Sequence, residues 1–350
     1  MAGSVRRELL ELLVDPVDSG SLRLEAHAPE GDEVLDGSLI GSSNTYPIRN
    51  GIPRFVLTRD AGQRQTSSSF AFKWKHRSAY DSIGVYETFR PWLLQRYGFN
   101  DVEHMRTFFS SHERVLDAGC GSGFSSSLWL TAQNPIQWIG VDISEAIDVA
   151  RERLAGIPNT HFVQADILRL PFRRQTFDAI FSEGVLHHTP STENALKSLV
   201  PFLAAGGEFL FYVYRTKGPI REFADDYIRQ MISSLPPEEA RKRLYPLTRL
   251  GQALAKLKAE VDIPEEIELL GIKAGRYDVQ RLIYWHFIKC FWNEKMTLEE
   301  NNHVNFDWYH PRYAHRQTED QVKTWCAEAG LSIVHFDAQE SGFTVRAVKS

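Results

Sequence analysis

The chain has 350 residues, 43% hydrophobic and 24% charged, with 40 Lys and Arg against 45 Asp and Glu. That composition suits a soluble globular protein of about two domains rather than a disordered one, and a net charge of −5 carries no footprint of a phosphate-backbone binder. Cys120, Cys290 and Cys326 are too few for a disulfide framework and too scattered for a structural zinc site. No apolar run approaches the ~18 residues of a membrane span. The expectation is a cytoplasmic protein with no metal, no membrane association and no nucleic-acid partner.

Residues 1–60 read as short strands between Gly, Pro, Asp and Ser turns, with six basic and ten acidic residues. They contain Leu9-Leu-Glu-Leu-Leu-Val-Asp-Pro-Val-Asp-Ser-Gly20 and Tyr46-Pro-Ile-Arg-Asn-Gly-Ile-Pro53. The two runs resemble a Trm112-like zinc-ribbon-type module, which starts with a Leu-rich helix and ends in a Tyr-Pro-Ile…Gly-Ile-Pro run. Where that family carries Cys-Pro-x-Cys, this chain carries Asp15-Pro16-Val17-Asp18, and the second cysteine pair is missing around Leu39–Ser43. Two aspartates are poor substitutes for four thiolates. The module is therefore expected to be metal-free and held by packing, serving as a dimer contact, a wall of the site or a partner surface. Residues 61–111 read as a linker, polar and small over 61–69, followed by a helical lead-in.

Residues 112–215 alternate apolar β-rich runs with helical stretches. Strands are expected at Arg114–Gly119, Gln137–Asp142, Thr160–Asp166, Thr176–Ser182 and Gly207–Tyr214, with helices over Ser125–Ala132, Glu145–Leu154 and Asn194–Val200. This rhythm implies a parallel sheet covered on both faces. Such sheets bind ligands beyond the carboxyl ends of their strands. The strongest local signal is Val115-Leu-Asp-Ala-Gly-Cys-Gly-Ser-Gly123. Three alternating glycines after a strand let the backbone turn sharply and approach a ligand closely. The dinucleotide fingerprint wants a glycine at 124, where Phe124 stands. Asp117, ahead of the glycines, suits a cationic ligand better than a pyrophosphate.

The pattern resembles motif I of the class I S-adenosylmethionine (AdoMet) methyltransferases, of the small-molecule, methyltransferase-11-like type. The resemblance implies a doubly wound, mostly parallel, seven-stranded Rossmann-like sheet with AdoMet as cofactor and S-adenosylhomocysteine as product. Carried over position by position, the cofactor residues are Asp117, Gly119, Gly121 and Gly123 in the turn, Asp142 with Ile143 at the ribose, Asp166 with Ile167 at the adenine edge, and Ser182. Asp142 reads alternatively as a helix cap and Asp166 as a solvated turn acid, while Asp178 reads as structural. Phe177-Asp-Ala-Ile-Phe-Ser-Glu-Gly-Val-Leu-His-His-Thr189 resembles the family's motif IV, which makes Glu183, His187 and His188 the catalytic candidates. Each His serves either as a base near neutral pH or as a packed turn residue. The Asn/Asp-Pro-Pro-Tyr run of amino methyltransferases is not there. Residues 318–350 read as a capped helix from Thr318 and a two-stranded hairpin completing the sheet.

Residues 216–317 form a helical, aromatic insertion, read as an acceptor lid. In Tyr284-Trp-His-Phe-Ile-Lys-Cys-Phe-Trp292, Trp285, Ile288 and Trp292 share one face at helical spacing, either as plain core or as a pocket wall. The run Asn305–Tyr313 is also aromatic, and Phe70–His76 resembles the Phe-x-x-x-Trp segment of some methyltransferases. The substrate-binding candidates are accordingly Trp74, Trp285, Tyr309 and His310. The leading expectation is methyl transfer to a small-molecule acceptor in a biosynthetic route, with a homo-oligomer left open. The alternatives are a non-catalytic partner protein on the same fold, and a methyltransferase acting on RNA or protein.

Overall fold

The computed structural model describes residues 5–27, 33–57, 60–75 and 82–350. His76, at the end of the Phe70–His76 run, lies outside them. The N-terminal module comprises β1 (Val5–Arg6), α1 (Arg7–Leu12), β2 (Arg23–His27), β3 (Glu33–Val34), β4 (Asp36–Ile40), β5 (Thr45–Arg49) and β6 (Ile52–Phe55). Helices α2 (Ala61–Lys75), α3 (Ile83–Arg96) and α4 (Val102–Ser110) follow. The α/β unit then runs β7 (Arg114–Ala118), α5 (Phe124–Ser127), β8 (Gln137–Asp142), α6 (Ala146–Arg153), β9 (Thr160–Ala165), β10 (Phe177–Glu183), α7 (Thr192–Leu199) and β11 (Leu203–Tyr214). An insertion follows: α8 (Pro219–Ile232), α9 (Pro237–Lys256), the ribbon β12 (Glu260–Ile263) and β13 (Gly275–Asp278), α10 (Val279–His286) and α11 (Leu298–Tyr309). The chain returns to the sheet through α12 (Glu319–Glu328), β14 (Leu331–Ala338) and β15 (Gly342–Lys349).

The interior strands are apolar on both faces, so alternate residues feed two different cores. Val115, Trp138, Phe162, Ala179 and Leu210 pack under α3, α4, α5 and α6. Their neighbours Leu116, Ile139, Val163, Ile180 and Phe209 pack on the other face with α7 and α12. Strands β14-β15-β11-β10-β7-β8-β9 lie side by side in that order, but the sheet is not limited to the expected seven. It continues through β6-β5-β4-β2 to eleven strands. Arg54 and Phe55 of β6 pair in parallel with Gln164 and Ala165 of β9. A bare β9 edge would leave a row of backbone N–H and C=O groups unpaired, and β6 closes it. Arg54 also pairs with Asp148 of α6 (2.8 Å) and donates to Gln164 (2.8 Å). Tyr46, Ile48 and Phe55 share one hydrophobic core with Val163, Ala165 and Phe172.

Within the module, Asp15 and Asp18 accept hydrogen bonds. Asp15 accepts from Tyr46 Oη (2.8 Å) and from the Val17 amide (2.9 Å). Asp18 accepts from Ser42 and from the Gly20 amide. Among the described residues no three His, Cys, Asp or Glu side chains are grouped to hold a metal ion. No described helix is long and apolar enough to cross a membrane.

Two local expectations need correction. Residues 61–69 are not a linker but the first turns of α2, started by the Asp60 carboxylate accepting from the Gln63 amide (2.6 Å). The helix lacks an apolar stripe because its partners are polar. Gln65 donates to the carbonyls of Ser233 (2.8 Å) and His310 (3.0 Å), and Ser69 bonds the His310 ring (2.8 Å). Trp285, Ile288 and Trp292 do not share a helix face either, because α10 stops at His286. Beyond it the backbone is held by asparagines of the next helix: Asn305 Oδ1 accepts from the Phe291 amide (2.8 Å) and Asn301 Oδ1 from the Asn293 amide (2.6 Å).

Candidate active site

The glycine turn leaves the end of β7 with φ of +86° at Gly119, +54° at Gly121 and +71° at Gly123. Those angles are cheap only for glycine. A Cβ on Gly121 would lie 2.7 Å from Trp74 Nε1 of α2, so this backbone passes beneath an aromatic cover with no room for a side chain. Asp117, at the turn's base, accepts from Ser126 Oγ (2.6 Å). Burial pushes its carboxyl up to about 7, against the pull of that hydrogen bond. Asp142, at the tip of β8, accepts from the Gly121 amide (2.9 Å), the Ser144 amide (2.8 Å) and Ser144 Oγ (2.6 Å). Burial raises its pKa too. Asp166 follows β9, its pKa raised by burial, and accepts from the Leu168 amide (3.0 Å).

These groups open onto one cavity of about 520 Å³, within the ~300–1,000 Å³ of small-molecule sites. One end is lined by Asp117, Gly119, Gly121, Asp142, Ile143, Asp166 and Ile167. The opposite end is walled by the insertion and β11, through Tyr212, Tyr214, Tyr284, Trp285 and Trp308. Trp74, Glu183 and His188 also line it.

Other predicted residues do not reach the lining. Ser182 Oγ is turned into the sheet, donating to the Ala118 carbonyl (2.9 Å). Gly123 packs against Ala150 and Leu154. Tyr309 donates to Asp225 (3.0 Å) inside the insertion, and His310 is bound between Ser69 and the Leu235 carbonyl (3.1 Å). His187 is fully buried, its ring 3.7 Å from that of Tyr214 and both nitrogens without a hydrogen-bond partner among the described residues.

Neither remaining catalytic candidate is a free base. His188 Nδ1 donates to the Tyr313 carbonyl (2.6 Å), and burial pushes this imidazole down to about 4. Glu183 accepts from the Arg96 guanidinium (2.5 Å) and from Tyr97 Oη (2.7 Å). Arg96 is itself sandwiched by Trp92 (3.5 Å) and Tyr212 (4.2 Å).

Sequence reasoning missed Arg96 and Tyr97, which sit at the C-terminal end of α3 about ninety residues before their carboxylate. It also missed the cations of the far end: Lys73, Lys217, Arg221, Arg281 and Lys289 all line the cavity. Lys289 lay inside the aromatic run singled out above, where only the rings drew notice.

Residues 109–245 match a protein family described as a methyltransferase domain. The chain carries a methyltransferase domain. The domain is AdoMet-dependent, and AdoMet is its methyl donor. The chain is 32% identical over 145 residues to "Probable tRNA methyltransferase 9B" of Mus musculus, covering 40% of this chain and 30% of the relative. It is 29% identical over 237 residues to "tRNA (carboxymethyluridine(34)-5-O)-methyltransferase alkbh8" of Xenopus tropicalis, covering 65% and 34%. It is 28% identical over 166 residues to "Phthiotriol/phenolphthiotriol dimycocerosates methyltransferase 1" of Mycobacterium ulcerans, covering 47% and 61%. The chain thus spans about a third of the tRNA-modifying relatives and 61% of the mycobacterial one. The methyltransferase domain fits its cofactor on structural grounds: a bare-backbone turn that a Cβ would block, with buried carboxylates facing a cavity.

Proposed function

We propose that this chain transfers a methyl group from AdoMet to a small-molecule acceptor seated between the tips of β7–β10 and the insertion. The observation that carries the reading is a single cavity joining the glycine turn to an aromatic-walled end. In this reading Asp142 grips the ribose hydroxyls, two carboxylate oxygens suiting a vicinal diol. Asp166 and Ile167 border the adenine, and Asp117 faces the positive charge of the donor. Bound AdoMet supplies an electrophilic methyl on a sulfonium.

The chain's own contribution is placement and exclusion of water. Holding reactants in line at near-attack distance is worth up to ~7–11 kcal/mol in favourable cases. The rings of Trp74, Trp285 and Trp308 shield the path. Glu183, held by Arg96 and Tyr97, is a positioned carboxylate beside the donor. His188 carries no charge at neutral pH, and its low basicity makes it a poor proton acceptor. An acceptor whose attacking atom already holds a free lone pair suits such a site. The N-terminal module, as a metal-free Trm112-like relic, acts by covering the β9 edge.

Titration calorimetry with S-adenosylhomocysteine tests the proposal. Saturable binding by the folded chain, lost in Asp142→Ala, is expected; no binding to folded protein refutes it. The names of the tRNA-modifying relatives favour a second reading, RNA as acceptor. Salt-sensitive tRNA binding in a mobility-shift assay would establish that reading against the small molecule.

A further inference from the structure

The cavity's far end has an uneven charge balance. Most of its buried cations have their own carboxylate. Arg96 has Glu183, Lys73 has Asp307 (2.9 Å), and Arg221 has both oxygens of Asp225 (2.9 Å each). Lys289 has none. Its side chain is 8% exposed and lines the cavity, with Nζ 4.2 Å above the Trp308 ring. Among the described residues nothing accepts a hydrogen bond from it. Among the described residues Lys217 also has no carboxylate at salt-bridge distance; its ammonium donates to the carbonyls of Arg215 (2.7 Å) and Ser341 (3.1 Å). Arg281, exposed at the rim, has no ion pair among the described residues either.

A buried ammonium without a directly paired counter-ion is costly, and a ring face and more distant carboxylates offset only part of that cost. Burial holds Lys289 down to about 7 and Lys217 well below its ordinary range, with Arg221 repelling both. A bound anion would relieve this strain and restore the charge. We propose that the acceptor carries an anionic group, a carboxylate or a phosphate, seated on Lys289 and Lys217 with Arg281 at the mouth. Trp285, Trp308 and Tyr284 would then hold its apolar or aromatic skeleton. The inference rests on reading this cavity as the acceptor site.

The test uses the full chain saturated with S-adenosylhomocysteine and three matched probes: phenylacetate, phenyl phosphate and the neutral phenylacetamide. Calorimetry should show at least one anion binding roughly tenfold or more tighter than the amide. The tighter of the two anions identifies the group. Lys289→Met and, independently, Lys217→Met should each cut anion affinity by roughly tenfold, with S-adenosylhomocysteine affinity unchanged. Equal binding of amide and anions overturns the proposal without any variant having to fold. So do anion affinities untouched in both variants, or no anion binding by protein that does bind S-adenosylhomocysteine. If the lysine variants lose S-adenosylhomocysteine instead, the cations hold the donor's own tail and the proposal fails. Failure of wild type to bind S-adenosylhomocysteine overturns the methyl-transfer reading, and the anion seat is then judged by the same titrations on the free protein.

Discussion

Three glycines with the same backbone strain but different surroundings separate conformational cost from ligand contact. Gly121, Gly184 and Gly206 have φ of +54°, +73° and +74°. Alanine at each adopts a left-handed conformation at a cost of roughly 1–2 kcal/mol. At Gly184 and Gly206 a Cβ meets nothing within 4 Å, whereas at Gly121 it lies 2.7 Å from Trp74 Nε1. Gly206→Ala, away from the cavity, should lose about 1–2 kcal/mol in urea unfolding and bind S-adenosylhomocysteine as wild type does. Gly184→Ala should lose a similar amount at the cavity edge. Gly121→Ala should lose at least as much stability. Its methyl displaces Trp74 and fills the backbone's approach, so S-adenosylhomocysteine should bind at least tenfold more weakly, a change of about 1.4 kcal/mol. Calorimetry on all three reads both effects. Wild-type affinity in Gly121→Ala, alongside the same stability loss as Gly206→Ala, would refute the turn as the cofactor's seat.

Asp142→Ala removes the acceptor for the Gly121 amide and for both Ser144 donors. It should weaken S-adenosylhomocysteine at least tenfold and also destabilise the free protein by roughly 1–3 kcal/mol; unchanged unfolding would show that water replaces the carboxylate. Asp117 has a folded pKa raised to about 7, above the ~3.9 of an unfolded Asp. Its contribution to stability is therefore fully present below pH ~4 and lost as pH rises towards 7, and Asp117→Asn should flatten that part of the profile. The Lys289 cluster predicts a different pH signature, read in anion affinity. Lys289, faced by Arg221 and Asp225 from α8, Asp307 from α11 and Lys73 from α2, takes up a proton on binding an anion. Phenylacetate or phenyl phosphate should thus bind more weakly as pH climbs above about 7; affinity rising with pH would contradict the assignment.

Local patterns carried the α/β unit and half of the cavity. An apolar run that closes in glycines needs only its own residues to make a strand and a tight turn, so Asp117, Gly119 and Gly121 could be read from the chain itself, while Asp142 and Asp166 followed from the methyltransferase resemblance; all five end on one cavity wall. His187 and His188 could not be told apart. They are neighbours in one 3-10 turn, where successive side chains point about 120° apart; one packs on Tyr214 and the other reaches the cavity. The polar face of α2 likewise has no meaning until the insertion it binds is in place.

The chain's own order of residues determined a parallel sheet, a bare-backbone bend and the acids around it, because each is made within a few residues. Tertiary structure alone decided that Arg54 meets Gln164 and joins two units into one sheet, and that Asp307 pairs with Lys73 while Lys289, among the described residues, is left without a carboxylate at salt-bridge distance. Charge balance in a buried site depends on which distant elements meet, and Coulomb interactions act across the gap between them with no trace in local spacing.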